Sequence, residues 1–314
     1  MTENTERIDS YSQTHSTRWG MAFGALAVFI WGGYLAVSRY GLTASTLEAV
    51  DIAFIRATVA GLVMLLWLAI KGVKGIDAIR NVGFTKTLLL TILVGPPFVY
   101  ISVSGYAYAP LVHGGVLLPA GLVLAGLILS ALILGDKIES YKIIGIVIML
   151  IGLGLLAGPD LFIGGLRALL GDFLFFTAGV MWASFAVAQR SWQITPVVAT
   201  ASVSIISVLI YSPFYLMVFG IERLQAVPIQ QLVVQSVVQG LLAGVIAMIC
   251  FGLAVKMIGA AKASLFPALL PVTTLLFGMP LTGELLTNYQ AIGTVTVLAG
   301  LLYVLIPIKK FLKK

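Results

Sequence analysis

The sequence predicts an all-α integral membrane protein with ten transmembrane helices, arranged as two inverted five-helix repeats around a central cavity. Two observations lead to this prediction. Of the 314 residues 60% are apolar and only 10% are charged, and the mean hydropathy is +1.08. Soluble domains carry about a quarter of charged residues, so this composition indicates a lipid environment. In addition, one pattern of proline, glycine, acid and tyrosine occurs twice at a constant offset.

The repeated pattern begins with Pro119-Ala120 in the first half and with Pro267-Ala268 in the second, an offset of 267 − 119 = 148 positions. The other matched positions are Gly135-Asp136 with Gly283-Glu284, Tyr141 with Tyr289, Gly145 with Gly293, and Gly152 with Gly300. Because each half has room for five spans, an odd number, the second copy enters the bilayer upside down. We therefore expect an N-terminal tail over residues 1–18, repeats over 19–158 and 168–307, and a basic C-terminal tail over 308–314.

Ten apolar stretches are each long enough to cross the roughly 30 Å hydrocarbon core as a helix. In the first half they lie near Trp19–Tyr40, Ala49–Ile70, Thr87–Ala109, Leu111–Leu134 and Tyr141–Gly158. In the second half they lie near Ala168–Gln189, Pro196–Phe219, Val233–Lys256, Ala260–Thr282 and Tyr289–Pro307. Helices are expected because lipid cannot satisfy backbone hydrogen bonds.

The distribution of basic residues predicts the orientation in the membrane. Of the 19 lysines and arginines, 15 fall in the tails and connections on the N-terminal side of the bilayer, and only Arg39, Arg167 and Arg223 fall on the other side. The positive-inside rule therefore places both termini in the cytoplasm. Anionic lipid headgroups account for the net charge of +7, so no nucleic-acid partner is expected.

Motifs of enzymes are absent from the sequence. It contains no Gly-x4-Gly-Lys-Ser/Thr phosphate loop and no Cys/His cluster with metal spacing, and its only histidines are His15 and His113. We therefore expect no catalytic residue, no metal and no cofactor. No connection is long enough for a nucleotide-binding domain, which leaves transport, lipid scrambling or a structural membrane role.

Prolines and glycines interrupt three of the predicted helices. Each proline removes a backbone donor and kinks its helix, and discontinuous helices near the midplane expose backbone groups to which a polar solute can bind. The alternative is that membrane helices merely tolerate proline. We predict that these positions act as hinges along a substrate pathway: Pro96 and Pro97 in the third helix, Gly114 and Pro119 in the fourth, and Pro267 and Pro271 in the ninth.

Aromatic and hydroxyl side chains in the third helix share one face, because Tyr100, Ser104 and Tyr108 follow one another at a spacing of four. They are predicted to line the cavity, the alternatives being helix packing and an interfacial belt of tyrosines. Trp31 and Trp182 occupy equivalent places in the first and sixth helices, since 182 − 31 and 190 − 39 both equal 151. Their depth in the membrane favours either the cavity wall or tight packing.

Arg56 is the charge that lies clearly inside a predicted span, where an unpaired charge is costly and marks function by default. It is predicted to attract a substrate carboxylate; the alternative is pairing with Asp51 or Glu48 at the interface. His113 and Lys262 lie about one turn into their helices, where each lines a gate or the interface. Gln239, on a polar stripe of the eighth helix, completes the predicted substrate contacts.

With the repeat, the Trp31-x7-Arg39 and Trp182-x7-Arg190 helices and Arg56 in the second span, the chain resembles the drug/metabolite transporter superfamily. Within it the chain is most similar to the EamA family and to YddG-type amino-acid exporters. The resemblance covers about Trp19 to Pro307. It implies a multi-pass protein of the bacterial inner membrane that exports small metabolites by alternating access, with neutral and aromatic amino acids as substrates.

The chain departs from two branches of that superfamily. Small multidrug-resistance proteins carry a glutamate in the first helix, and Trp19–Tyr40 contains no acid. Triose-phosphate transporters bind phosphate with several basic residues, and only Arg56 and Lys262 are available for that role in this sequence. The alternatives are efflux of other organic solutes and a lipid scramblase or flippase. The partners expected are a small-molecule substrate and the lipid bilayer, with the protein acting as a monomer.

Overall fold

The computed structural model describes residues 2–135, 140–163, 165–258, 263 and 266–305, with side chains at 17–135, 143–155, 166–258, 263 and 266–303. This described part is helical and contains no strand, which confirms the all-helical prediction. Seven of its helices are long and apolar enough to span a membrane: Thr17–Ala44, Ala49–Lys71, Phe84–Ala107, Leu111–Leu134, Leu166–Ser191, Pro196–Val218 and Ile229–Ile258. Shorter apolar helices lie over Ile143–Leu155 and Pro267–Thr282.

The helices of the first half are numbered in chain order. They are α1 (Thr2–Ala44), α2 (Ala49–Lys71), α3 (Val73–Val82), α4 (Phe84–Val94), α5 (Pro96–Ser104), α6 (Leu111–Leu134) and α7 (Ser140–Ile163). The third predicted span is therefore two helices, because Gly95 leaves the helical conformation and Pro96 begins a new helix. A single 3₁₀ turn, Gly105–Ala107, ends this span.

The second half contains α8 (Gly165–Ser191), α9 (Pro196–Val218), the short α10 (Glu222–Gln225), α11 (Ile229–Gln235), α12 (Ala247–Ile258), α13 (Leu270–Thr282) and α14 (Asn288–Leu305). A π-helical segment over Ser236–Ile246 joins α11 to α12, so that the eighth predicted span is continuous but locally widened. A 3₁₀ turn over Pro267–Leu269 precedes α13.

Two ends of the helix bundle are distinguished by the connections that form them. We call the distal face the end formed by residues 45–48, 108–110, 219–228 and 283–287, where Arg223 meets Glu48 and Arg39 meets Glu284. The opposite end, which includes residues 72–83 and 192–195, is the proximal face. α1 reaches the distal face at its C-terminal end, and α9 starts at the proximal face with Pro196.

Helix packing relates the two halves to each other. The most extensive contacts join α7 to α14 and α6 to α8, followed by α1 with α13, α1 with α12 and α2 with α9. In terms of the predicted spans, the fourth packs on the sixth as the ninth packs on the first, and the first packs on the eighth as the sixth packs on the third. The second and seventh spans and the fifth and tenth spans each pack on their own equivalents. The pairing is therefore unchanged when the halves are exchanged.

The contact between α7 and α14 explains the glycines of the repeat. A Cβ on Gly152 would stand 2.6 Å from the backbone nitrogen of Val297 and 3.0 Å from the carbonyl oxygen of Gly293. A Cβ on Gly300 would stand 2.7 Å from the carbonyl oxygen of Gly145. Gly152 and Gly300 thus bring two helix backbones together reciprocally, as small residues do between helices in lipid, and the carbonyl oxygens of Gly293 and Gly145 face them.

The two prolines that match in the repeat have different settings. Pro119 lies inside α6, which continues without interruption from Leu111 to Leu134. Pro267 opens a 3₁₀ turn, and Pro271 lies in the first turn of α13, so the ninth span is interrupted where the fourth is not. α6 passes close to α8 near Pro119, because a Cβ on Gly121 would stand 2.6 Å from the carbonyl oxygen of Phe176.

Candidate functional site

An open pocket lies among α2, α4, α5, α8, α9 and the eighth span; about 430 Å³ of atom-free space lies between and in front of its walls, part of it outside the protein. Its wall reaches the first turn of α9, at the proximal face, and includes no residue of the distal connections. Its lining residues are Ala53, Arg56, Ala57, Ala60, Val94, Gly95, Pro96, Val99, Phe185, Ala199, Thr200, Val203, Ser204, Ser207, Gly244 and Met248. The pocket therefore extends toward the proximal side, and its lining is mostly apolar.

Arg56 brings the charge to this pocket. The helix that carries it, α2, is fixed at its start by a capping box in which the Glu48 N–H donates to Asp51 Oδ2 at 2.7 Å. Gly244 of the eighth span lies beside the Arg56 side chain, since a Cβ there would stand 3.7 Å from Arg56 Cγ, at ordinary contact distance. The guanidinium carbon lies 5.2 Å from the ring centroid of Tyr34.

Arg56 has no carboxylate partner among the described residues. The alternative partners inferred from sequence, Asp51 and Glu48, are instead bound by Arg223, whose guanidinium nitrogens lie 3.2 Å and 2.8 Å from them. These two hydrogen bonds, that to Asp51 first, raise the pKa of Arg223, which lies in the connection after α9. Within the described part of the chain, Arg56 is therefore a cation without a carboxylate partner, on the wall of a mostly apolar pocket.

Hydroxyl groups line the wall that α9 contributes. Thr200, Ser204 and Ser207 follow a helical spacing and all reach the pocket. The hydroxyls of Thr200 and Ser207 donate to the carbonyl oxygens of Pro196 and Val203 at 2.9 Å and 2.7 Å, which leaves their lone pairs free to accept. This wall is suited to accept hydrogen bonds from an ammonium or amide group.

The break in the third span also lies at the pocket. Gly95 and Pro96 are both in its lining, and a Cβ on Gly95 would stand 3.0 Å from Ser207 Oγ. α5 begins at Pro96, so the partial positive charge of its N-terminus lies on the same side as Arg56. The two positive features together favour a carboxylate.

Four aromatic rings pack next to the pocket. Trp31 and Trp182, which are equivalent in the two halves, meet edge to face with their centroids 4.6 Å apart. Phe251 lies 5.3 Å from Trp31, and Phe98 lies 5.9 Å from Trp182. Trp31 is buried and neither tryptophan is in the pocket lining, so the structure places both in tight packing between the halves.

Ion pairs join helices across the distal face. Arg39 Nε lies 2.6 Å from Glu284 Oε1, and the same guanidinium donates to the Tyr106 carbonyl oxygen. Glu284 Oε2 accepts from the N–H of Leu111, the first residue of α6. Together with the Arg223 bonds, these contacts tie α1, α2, α6 and the connections after α9 and α13 together. Ion pairs therefore hold the helices together at the distal end.

His113 and Gln239 do not reach the pocket. His113 is fully buried near the start of α6, and its Nδ1 lies 2.6 Å from Asp172 Oδ1 of α8. Gln239 Nε2 donates to Ser38 Oγ and to Gln235 Oε1, each at 3.0 Å, so Gln239 holds α1 against the eighth span.

The tyrosines of the third span are also outside the pocket. Tyr100 is 48% exposed and Tyr108 is 39% exposed on the outer surface, and the guanidinium carbon of Arg167 lies 5.9 Å from the Tyr108 ring. Ser104, half-buried at the end of α5, is not in the lining either. α5 turns Phe98 and Val99 inward instead, because the break at Gly95 sets its rotation about the helix axis.

The predicted hinge residues divide in the same way. Pro96 lines the pocket, whereas the adjacent Pro97 is exposed. Gly114 packs against the Tyr106 ring, where a Cβ would stand 2.7 Å from Tyr106 Cε1. Pro119, Pro267 and Pro271 are buried away from the lining. Lys262 and Asp136 lie outside the described residues.

The sequence interpretation missed Phe185, Met248 and the α9 hydroxyls as pocket residues. Thr200, Ser204 and Ser207 do carry a signal, since three hydroxyls at helical spacing in one apolar span form a polar stripe. Phe185 and Met248 carry none, because an apolar side chain in an apolar helix looks the same whether it faces lipid, core or cavity.

Comparison with known proteins decides the family. The model of the EamA-like transporter family matches residues 18–158 and again residues 169–306. The chain belongs to the EamA-like transporter family. Its members are membrane transporters rather than enzymes, so this protein is a multi-pass membrane transporter of small molecules. The family predicted from the sequence is thereby confirmed, and the two matches fall on the two halves of the chain.

Solved structures add a likeness of fold. A protein described only as "Crystal structure of protein" is similar over 95% of this chain and 99% of its own, with a TM-score of 0.59 and 19% sequence identity. At this identity the likeness shows the fold alone. It is one of 14 solved chains that match. No curated protein matches the chain.

Proposed function

We propose that this EamA transporter exports neutral amino acids, with a preference for aromatic and other large apolar side chains, across the bacterial inner membrane by alternating access. The observation that carries the proposal is Arg56, a cation without a carboxylate partner in the described chain, on the wall of an apolar pocket. A compact zwitterion supplies the missing carboxylate and fills the apolar space with its side chain.

The pocket offers a separate place for each part of such a substrate. The carboxylate is bound by Arg56, which donates charge-assisted hydrogen bonds, and by the N-terminal end of α5. The α-ammonium donates to the hydroxyls of Ser204 and Ser207. The side chain of the substrate packs against Phe185, Val203 and Met248. An aromatic substrate gains about 0.5–1.5 kcal/mol from ring contact beyond area burial.

Ten spans in two inverted repeats are part of the proposal. The exchange symmetry of the helix contacts, the reciprocal glycines of α7 and α14, and the two family matches support it. With both termini in the cytoplasm, the proximal face is cytoplasmic and the distal face periplasmic. The pocket then lies toward the cytoplasmic side and ion pairs join the periplasmic ends of the helices, which is the arrangement expected of an exporter that is ready to load its substrate.

Transport by purified protein in liposomes tests the proposal. Liposomes loaded with unlabelled phenylalanine, methionine or threonine are diluted into the labelled amino acid, and counterflow is measured for the wild type and Arg56→Gln. We expect counterflow of phenylalanine and methionine in the wild type and its loss in the variant. Movement of labelled phospholipid without movement of any amino acid would make the protein a scramblase instead. Counterflow of cationic or uncharged solutes alone would indicate efflux of other organic compounds.

A further inference from the structure

A buried contact between the side chains of His113 and Asp172 joins α6 to α8 on the distal side of the pocket. Nδ1 of the imidazole lies 2.6 Å from Oδ1 of the carboxylate, His113 is fully buried, and 11% of the Asp172 side chain is accessible. An ionisable pair inside a membrane bundle is expensive and marks a functional site by default. The substrate pocket does not use it.

The charged and titratable side chains recorded at this end of the bundle lie on four segments. α1 contributes Arg39 and Tyr34, the 3₁₀ turn before α6 contributes Tyr106, α8 contributes Arg167 together with Asp172, and the connection before α14 contributes Glu284. Arg39 is bound to Glu284, and Arg167 lies over the ring of Tyr108. Among the described residues, the Asp172 carboxylate is bound by the His113 imidazole, which is a cation only while it is protonated.

Protonation of His113 decides whether this contact is an ion pair. With the proton present, the imidazolium and the carboxylate neutralise each other and hold α6 against α8. When the proton leaves, the Asp172 carboxylate remains without a compensating charge in a buried place, and such a charge is costly. Loss of one proton therefore weakens the contact between the distal ends of two helices.

α8 connects this contact to the substrate. Asp172 and Phe185 lie on the same helix, 13 residues or about 20 Å apart, and Phe185 lines the pocket. α6 and α8 approach closely between these points, where a Cβ on Gly179 would stand 2.8 Å from the backbone nitrogen of Leu122. The same helix thus carries both Asp172 at the distal end and a side chain of the pocket wall.

We propose that His113 and Asp172 form the proton-binding site that couples this transporter to a proton gradient, one proton entering for each amino acid exported. The coupling rests on the proposed function. The proton enters from the distal compartment through the accessible edge of Asp172, is held between Nδ1 and Oδ1 while the distal face is closed, and is released to the proximal compartment when a substrate occupies the pocket.

A first experiment measures the proton site without any substrate. In the Cys250→Ala background, Ser38→Cys places a thiol at a fully buried position beneath the distal face, and Thr46→Cys places one at an exposed position as a reference for thiol reactivity. We expect the labelling rate of Ser38→Cys, relative to that of Thr46→Cys, to rise at least fivefold from pH 5.5 to pH 8. His113→Gln should remove this dependence. A flat ratio in the protein that retains His113 would overturn the proposal.

A second experiment measures coupling in liposomes. With one proton exchanged per neutral amino acid and the membrane potential clamped at zero, one pH unit drives about a tenfold concentration ratio of phenylalanine at equilibrium. We expect this ratio in the wild type and in Glu222→Gln, which removes an exposed distal carboxylate. His113→Gln and Asp172→Asn should reach equal concentrations. A tenfold ratio in both variants would overturn the coupling.

The two experiments separate this inference from the function on which it rests. If no amino acid moves while labelling at Ser38→Cys still depends on pH and on His113, the exporter proposal fails and the proton site stands. If amino acids exchange freely while the wild type builds no ratio from a pH gradient, the exporter proposal stands and the coupling is wrong.

Discussion

The guanidinium of Arg56 lies over the ring of Tyr34, 5.2 Å from its centroid, and the Tyr34 hydroxyl lies 3.2 Å from Ser102 Oγ. A ring face attracts a cation without neutralising it, so Tyr34 positions Arg56 and leaves its charge available. Ser102 in turn fixes the ring, since both residues are buried. Tyr34 and Ser102 thus hold the Arg56 guanidinium in place without neutralising its charge.

Removing the charge of Arg56 should remove recognition of the substrate carboxylate. Charge-assisted hydrogen bonds contribute about 1.5–3 kcal/mol, so Arg56→Gln should weaken binding of phenylalanine by roughly 10- to 100-fold. Arg56→Lys keeps the charge but loses the planar fork, and should weaken binding less. Competition against a labelled substrate in liposomes measures both affinities.

The control for this prediction is phenethylamine, which lacks the carboxylate of phenylalanine. Its binding should not weaken in Arg56→Gln. Lys74→Gln removes an exposed cation of α3 and should leave both ligands unaffected. An equal loss for phenylalanine and phenethylamine would show that Arg56 supports the helix packing rather than the carboxylate.

Much of the site could not be predicted because helix rotation is not encoded in local spacing. Tyr100 and Ser104 share a face, but the break at Gly95 and Pro96 decides whether that face points inward, and it turns Val99 to the pocket instead. The importance of Arg56 was predictable, because a charged residue within an apolar span stands out in the sequence. The partner of His113 was not, because Asp172 is 59 residues away in the chain.

The fold was predictable where the two halves constrain each other. The matched glycines 145, 152, 293 and 300 signalled a duplicated unit, and the structure gives Gly152 and Gly300 one physical role in the contact of α7 with α14. Trp31 and Trp182 signalled equivalence, and they meet each other at 4.6 Å. A constant offset in the sequence does not show which equivalent residues contact each other. Only the packing of the helices in the structure shows this.

Selectivity for aromatic substrates should depend on Phe185 and not on Tyr100. Phe185 lines the pocket, whereas Tyr100 is 48% exposed on the outer surface. An aromatic contact contributes about 0.5–1.5 kcal/mol beyond area burial, so Phe185→Ala should weaken phenylalanine by up to about tenfold and threonine much less. Tyr100→Ala should leave the ratio of the two affinities unchanged. A change of that ratio in Tyr100→Ala alone would assign the selectivity to the outer face of α5.

The glycine contact between α7 and α14 should be intolerant of a single methyl group. A Cβ on Gly152 would stand 2.6 Å from the backbone nitrogen of Val297, and one on Gly300 would stand 2.7 Å from the carbonyl oxygen of Gly145. Backbone atoms cannot move aside like a flexible side chain, so each substitution by alanine should cost about 1–3 kcal/mol of stability. Thermal unfolding in detergent measures the loss.

The matched control lies two residues away. Gly154 is on the same helix, and a Cβ there meets no atom within 4 Å. Gly154→Ala should be neutral or stabilise the protein slightly, because alanine restricts the unfolded chain and favours the helix. Equal losses in Gly152→Ala and Gly154→Ala would contradict the role given to the glycine contact.

Breaking the distal ion pair should open the distal face. Arg39 binds Glu284 at 2.6 Å, and Glu284 also accepts from the N–H of Leu111 at 2.8 Å. Arg39→Gln leaves the second contact in place and should raise labelling of Ser38→Cys, in the Cys250→Ala background, by about three- to fivefold, since a partly buried pair contributes about 1 kcal/mol. Glu284→Ala loses both contacts and should raise the labelling rate further.

The exchanged pair Arg39→Glu with Glu284→Arg restores the attraction but not the acceptor for Leu111, so its labelling rate should lie between those of the wild type and Glu284→Ala. If Arg39→Gln labels at the wild-type rate, the distal face is held closed by its apolar packing and the ion pair has no part in it.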